Sequence, residues 1–124
     1  RYFSLADAML VTLNDDPVIA TTIPGKLQSY LACGRPIIGA LNGAAAEVIS
    51  ESGAGYSVSA GDYKGLAKSV LKMSLKNPKD LQGMGNCAIT YYSNNFDRKT
   101  LVSQLIILLY GLLSTDNVRV KIKN

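Results

Sequence analysis

At 124 residues, with 48% hydrophobic and 18% charged residues, the chain has ordinary globular composition and the length of one domain with a real core. It contains no histidine, which excludes Ser-His-Asp and Cys-His nucleophilic catalysis from within the chain. The net charge of +4 is mild; Lys64, Lys68, Lys72 and Lys76 spread along a helical pattern as a solvated face does, and no nucleic-acid partner is expected.

Two cysteines, Cys33 and Cys87, are too few for a structural zinc site without histidine, and no metal or other cofactor is expected. Both fall in apolar helical patterns, so buried free thiols in a reducing compartment are the expectation.

The chain opens at Arg1 on RYFSLADAMLVTL, which reads as a last helical turn over Tyr2–Ala6 running into a strand, Met9–Leu13. This start predicts a piece of a longer protein, with further strand–helix units before it. Asn14–Thr22 reads as a polar, turn-rich loop with Pro17 and the paired carboxylates Asp15 and Asp16. These two are expected to be solvated loop residues, although the end of the first strand is where α/β proteins bind ligands.

The run Ile23–Ile38, IPGKLQSYLACGRPII, predicts a loop, a helix over 24–33 and then a strand over 36–41. Pro24 suits a first helical turn, since its φ is already helical and it has no N–H to leave unpaired. Leu27, Tyr30 and Leu31 fall at i, i+3, i+4 on one face. Gly34 serves as a left-handed C-cap and Pro36 blocks continuation. PIIGAL has the apolar character of a parallel strand covered on both faces. The helix start points free N–H groups and a positive dipole end outward, a usable anion site.

Asn42-Gly43 makes a turn before a helix over 44–52, which Gly53 ends. Gly55–Ser59 is a third strand. Gly53-Ala54-Gly55 precedes that strand instead of opening a helix after one, so it is a turn and not a dinucleotide fingerprint. Asp62 is the N-cap of a helix whose Tyr63, Leu66, Ala67, Val70 and Leu71 form an apolar face. Asn77-Pro78 opens a helix over 78–94 with Leu81, Met84, Ala88, Ile89 and Tyr92 on one side. Tyr91-Tyr92 could stack on sugars, but core packing accounts for one of the two rings.

Asp97 caps a last helix through Ser114. Its apolar part, Leu101–Leu113, is interrupted by Ser103 and Gln104 and falls short of the roughly 20 residues that span a bilayer. Docking against another part of the protein is expected, with interfacial lipid contact the minor reading. Residues 115–124 form a basic tail whose VRVKI alternation allows a strand or a loose end. Arg119, Lys121 and Lys123 in it give a weak attraction to an anionic membrane surface.

Strands alternating with helices predict an α/β fold: a Rossmann-like parallel sheet of about three strands here, with right-handed crossovers and flanking helices. The predicted organisation is a partial Rossmann-like unit over 1–96, a C-terminal helix over 97–114 and the tail.

TIPGKLQSYLACGRPII, followed by GAAAEVISESGAGYSVSAGD and DYKGLAKSVLKM, resembles the carboxy-terminal half of a retaining GT-B-fold glycosyltransferase of family four. The residues that carry the resemblance are Ala32-Cys33-Gly34-Arg35-Pro36-Ile37-Ile38, then Gly43 to Glu47-Val48-Ile49, then Gly53-Ala54-Gly55-Tyr56 and Asp62. Pro24 to Leu31 is most similar to the bacterial branch that acts on amino sugars in surface-polysaccharide assembly. The likeness spans about Ala6 to Asn95.

The resemblance implies transfer of a sugar from a nucleotide-diphosphate donor, a UDP-linked amino sugar in that branch, with retention of configuration and without a metal in most members. The acceptor, a glycan or lipid-linked molecule, would be held by an N-terminal domain that the chain lacks, so the fragment alone should be inactive. It also implies a cytoplasmic location, at the inner face of the cell membrane if the protein is peripheral. Thr21, Thr22, Ile23, Pro24, Gly25 and Lys26 would face the donor sugar and phosphates, and Ser29 the ribose. Thr21 and Ser29 stand where the family commonly has two glutamates, and a hydroxyl is a weaker acceptor than a carboxylate. No catalytic residue is assigned. Two other readings share the architecture: a nucleotide-sugar 2-epimerase, and a non-catalytic flavodoxin-like binding module.

Overall fold

The computed structural model describes residues 3–121, apart from the side chains of Ser4 and of 114–121. It divides into two units, Arg1–Tyr92 and Ser93–Asn124.

In the first unit β1 (Met9–Thr12), β2 (Ile37–Ala40) and β3 (Gly55–Val58) form one parallel sheet in the order β1-β2-β3. Met9 pairs with Ile37 and Ile37 with Gly55, and the register runs unbroken to Thr12, Ala40 and Val58. The helices are α1 (Pro17–Ala20), α2 (Gly25–Ala32), α3 (Ala44–Ser52), α4 (Tyr63–Ser74) and α5 (Pro78–Asn95), and a 3-10 turn, Phe3–Leu5, precedes β1. This is the expected α/β arrangement of Rossmann-like kind, with each strand slightly shorter than predicted.

Two successive parallel connections in the same direction, if right-handed as such crossovers almost always are, put α2 and α3 on one face of the sheet. A Cβ at Gly39 would meet Ile49 of α3, whereas Ile38 shares a cleft with Val70 and Met73 of α4. Successive β2 side chains therefore face opposite layers, and all four β2 residues are buried. β1 alternates instead, with Met9 and Val11 buried and Leu10 and Thr12 exposed. The largest fully buried side chains are Leu27, Leu31, Ile37, Leu41 and Ile49. Burying each of these stabilises the unit by about 2 kcal/mol.

The apolar face predicted for α4 is displaced. Tyr63, Val70 and Leu71 are 73%, 46% and 61% exposed, while Met73 is buried and Leu66 half-buried. The sheet takes the adjoining row, Leu66, Ser69 and Met73, because one helix can lay only one stripe on a flat layer. The thiols also depart from expectation, since Cys33 and Cys87 are free and exposed. Cys33 is the C-cap of α2 and Cys87 lies within α5.

Most caps follow the sequence. Asp62 accepts from the Gly65 N–H at 2.8 Å, and Asn77 from the Asp80 N–H at 2.9 Å. Gly53 closes α3 with φ 65°. Gly34 follows α2 with φ +63°, and its carbonyl lies where a Cβ on Gly85 of α5 would go. A Cβ on Gly34 would in turn strike Ile89. The turn and the helix thus meet backbone to backbone.

In the second unit α6 (Arg98–Lys121) is capped by Asp97, which accepts from the N–H groups of Lys99 and Thr100 at 3.0 and 3.2 Å. The helix passes the expected end at Ser114, so 118–121 are helical rather than a strand, and 122–124 lie outside the described residues. Leu101, Val102, Leu105–Tyr110, Leu112 and Leu113 are all exposed. Among the described residues no helix is long and apolar enough to cross a membrane.

Candidate functional site at the carboxyl end of the sheet

Three loops leave the carboxyl ends of the strands, and one side chain ties them together. Asn42 donates from Nδ2 to Asp15 Oδ1 at 2.8 Å, and its Oδ1 accepts from the Ala60 N–H at 3.2 Å. The loops after β1, β2 and β3 are therefore held in one surface. Gly43, with φ +66°, lies against the Ala20 carbonyl so closely that a Cβ there would overlap it. That contact fixes the start of α3 against the end of α1.

The paired aspartates have different structural duties. Asp16 is the N-cap of α1, accepting from the Val18 and Ile19 N–H groups at 2.7 and 3.3 Å. Pro17 sits at the first helical position. Asp-Pro is a legible helix start, and it is the signal by which this short helix could have been found in the assumed loop. Asp15 holds Asn42, a partner 27 positions away that no local pattern reveals.

Thr21 and Thr22 follow α1. Their hydroxyls donate to the Val18 and Ile19 carbonyls, each at 2.8 Å, so both protons are spent on closing α1 while the oxygens keep acceptor capacity. Ile23 and Pro24 are half-buried, and Gly25 and Lys26 are exposed. Pro24 is the N-cap of α2, with ψ 139°, so the helix begins one position later than expected. Its carbonyl takes the Leu27 and Gln28 N–H groups at 3.0 and 3.3 Å. The N–H groups of Gly25 and Lys26 are left without partners among the described residues, as a helix start requires. Ser29 is exposed and donates to the Gly25 carbonyl at 3.0 Å. Lys26 has no carboxylate partner among the described residues.

The structure thus brings Thr21 to Lys26 and Ser29 to one end of the sheet, around the start of α2. A cleft of about 200 Å³ opens at the same end on the α4 side, lined by Thr12, Leu13, Ala40, Asp62, Tyr63 and Leu66. None of Thr21 to Lys26 lines it. Glu47 is exposed in the first turn of α3, where the helix dipole favours a carboxylate. Among the described residues no group of three or more His, Cys, Asp or Glu side chains could hold a metal ion. No family model matches the chain, and no curated protein matches it either. What the arrangement offers chemically is a set of backbone N–H donors, hydroxyl acceptors and one lysine at the start of α2, with the exposed carboxylates of Asp15 and Asp16 on the loop before it.

Away from this end, Tyr91 of α5 donates to Glu51 Oε2 of α3 at 3.0 Å. Partial burial, then that hydrogen bond and the carboxylate charge, push the phenol's pKa up. This is a helix–helix contact on the side of the sheet where α3 packs. The Tyr91 hydroxyl is thereby committed to Glu51.

Proposed function

We propose that the first unit is the donor-binding half of a retaining glycosyltransferase, taking a nucleotide-diphosphate-sugar, a UDP-linked amino sugar in the best-fitting case. The observation that carries this reading is the start of α2. Two unpartnered N–H groups, at Gly25 and Lys26, face out beside the Lys26 ammonium at the ligand-binding end of a parallel sheet. A diphosphate there would receive hydrogen bonds from the backbone and charge from Lys26, which is the electrostatic help a leaving nucleoside diphosphate needs. Thr21 and Thr22 would offer hydroxyl oxygens to the sugar. Ser29 would meet the ribose as an acceptor, since its proton is engaged with Gly25.

The acceptor, a glycan or lipid-linked molecule, would be held by a further domain. The exposed apolar side chains of α6 supply a surface by which that domain could be joined. A cytoplasmic location at the inner membrane face fits such a substrate. Calorimetric titration with UDP and with UDP-sugars tests the reading. Saturable binding that Lys26→Ala weakens supports it, and no heat at millimolar nucleotide overturns it.

A further inference from the structure

A second cluster lies away from the carboxyl end of the sheet. β3 is an edge strand, with α3 over one face of the sheet and α4 over the other. Between these helices, along the outer edge of β3, runs a cleft of about 340 Å³. Lys68, Ser69 and Lys72 line it from α4, Ser50 from α3, and Tyr56 and Ser57 from β3.

Apart from the contact of Lys72 with the Tyr56 ring, the polar side chains of this cleft make no hydrogen bond or ion pair among the described residues. Lys68 and Lys72 are one helical turn apart, and neither makes an ion pair among the described residues, where Lys76 pairs with Asp80. Two like charges on one helix face repel each other unless an anion is present. The Lys72 ammonium sits 4.2 Å from the centre of the Tyr56 ring, which fixes it at the cleft wall. The hydroxyls of Ser50, Ser57 and Ser69 make no hydrogen bond among the described residues, although Ser57 and Ser69 are half-buried.

The backbone adds further donors. The Ala54 and Val58 carbonyls bond to Ile37 and Leu41 of the β2 segment at 3.0 and 2.9 Å. In a parallel ladder the residues between them alternate, so Gly55 and Ser57 turn both their N–H and their C=O groups outward to the edge.

We propose that this cleft binds a phosphate group, as a phosphomonoester. The donor set is two ammoniums, three hydroxyls and two edge N–H groups, which alternate with two edge carbonyls, and no carboxylate is among the lining residues. A phosphomonoester brings close to two negative charges and three strong acceptor oxygens to match it. The cleft volume accommodates the phosphate and a small organic group. The site does not rest on the glycosyltransferase reading, because no residue of Thr21 to Ser29 takes part. The phosphate's source is either a soluble metabolite or a membrane lipid headgroup, and the chemistry is shared.

The test is titration of the whole chain, followed by amide NMR at Gly55, Ser57 and Ser69. One arm uses inorganic phosphate and glycerol 3-phosphate, and the other uses phosphatidic-acid vesicles against phosphatidylcholine vesicles. Saturable shifts at those amides are expected, with a tenfold or greater loss of affinity in the Lys68→Ala/Lys72→Ala double variant. Both lysines are exposed and alanine favours helix, so the variant keeps its fold, which circular dichroism checks. Binding in the soluble arm assigns a metabolite, and binding in the vesicle arm alone assigns a headgroup. Shifts in neither arm, or equal affinity in the double variant, overturn the proposal.

Discussion

Asn42 and Asp15 are 27 positions apart in the chain and share a 2.8 Å hydrogen bond across the carboxyl end of the sheet. With the Ala60 N–H on its other side, Asn42 holds three loops that separate strands would otherwise leave independent. The candidate site depends on that restraint, since the loop after β1 leads directly to Thr21 and the start of α2.

Asn42→Ala removes both bonds. Because the contacts are partly solvated, the expected cost is about 1 kcal/mol of stability. Urea unfolding measures it. Hydrogen exchange should rise at Ala60, and an unchanged exchange rate there would show that the bridge does not restrain its loop.

Gly43→Ala should cost more, about 2–3 kcal/mol, since it combines a left-handed backbone with overlap of the Ala20 carbonyl. Gly53→Ala is the control. It has nearly the same φ, but its nearest neighbour is Cys87 at 3.9 Å, so it should lose about 1 kcal/mol. Equal midpoint shifts for the two variants would remove the role given to the Ala20 contact.

Lys26→Ala should leave the unfolding midpoint unchanged, because the side chain is exposed and without an ion pair among the described residues. On the proposed function it lowers affinity for UDP-sugars by roughly three- to tenfold, the range of one partly solvated charged contact. Ser29→Ala should lower it less. Calorimetry on both variants reads the difference, and wild-type affinity in Lys26→Ala contradicts the phosphate role.

Tyr91 ties stability to alkaline pH. Its folded pKa is raised, so the protonated phenol is favoured in the native state. The Glu51 contact therefore contributes fully below the unfolded tyrosine pKa and is lost as pH rises through the higher folded value. Tyr91→Phe should cost about 0.5 kcal/mol at neutral pH and flatten that alkaline loss. Urea midpoints between neutral and alkaline pH test this; parallel curves for the two proteins would discard it.

Leu27→Ala empties a fully buried position under the sheet and should cost about 2–5 kcal/mol. Thermal unfolding checks it, and a loss below 1 kcal/mol would mean that α2 repacks.

The strands, five of the six helices and most caps were legible because each has a local cause. Apolar runs mark β1 to β3, Gly34 and Gly53 mark helix ends, and Asp62, Asn77 and Asp97 mark helix starts. α1 was hidden because four residues give no periodicity, although Asp16-Pro17 carried the sign of it. The buried side of α4 was only partly legible, because the predicted face and the observed one share Leu66 and only the sheet selects Ser69 and Met73 over Tyr63 and Leu71. Exposure of Cys33 and Cys87 was beyond reach for a similar reason. At the site, Thr21 to Lys26 could be placed from sequence, but the engagement of the Thr21, Thr22 and Ser29 protons could not. Asn42 was legible only as a turn residue, since its partners come from other loops.

Gly34 and Gly85 lie where a turn and a helix meet without side chains. Ordinary core contacts can evolve by exchange, one residue shrinking as its neighbour grows. Here both partners are already the smallest residue, so a larger one at either position has no compensating change at the other. Relief can come from Ile89 for a side chain on Gly34, and only from backbone movement for one on Gly85. Because both substitutions would force the same turn and helix apart, their combined cost should be less than the sum, and second-site suppressors of a Gly34 variant should map to Ile89 instead of to the partner glycine.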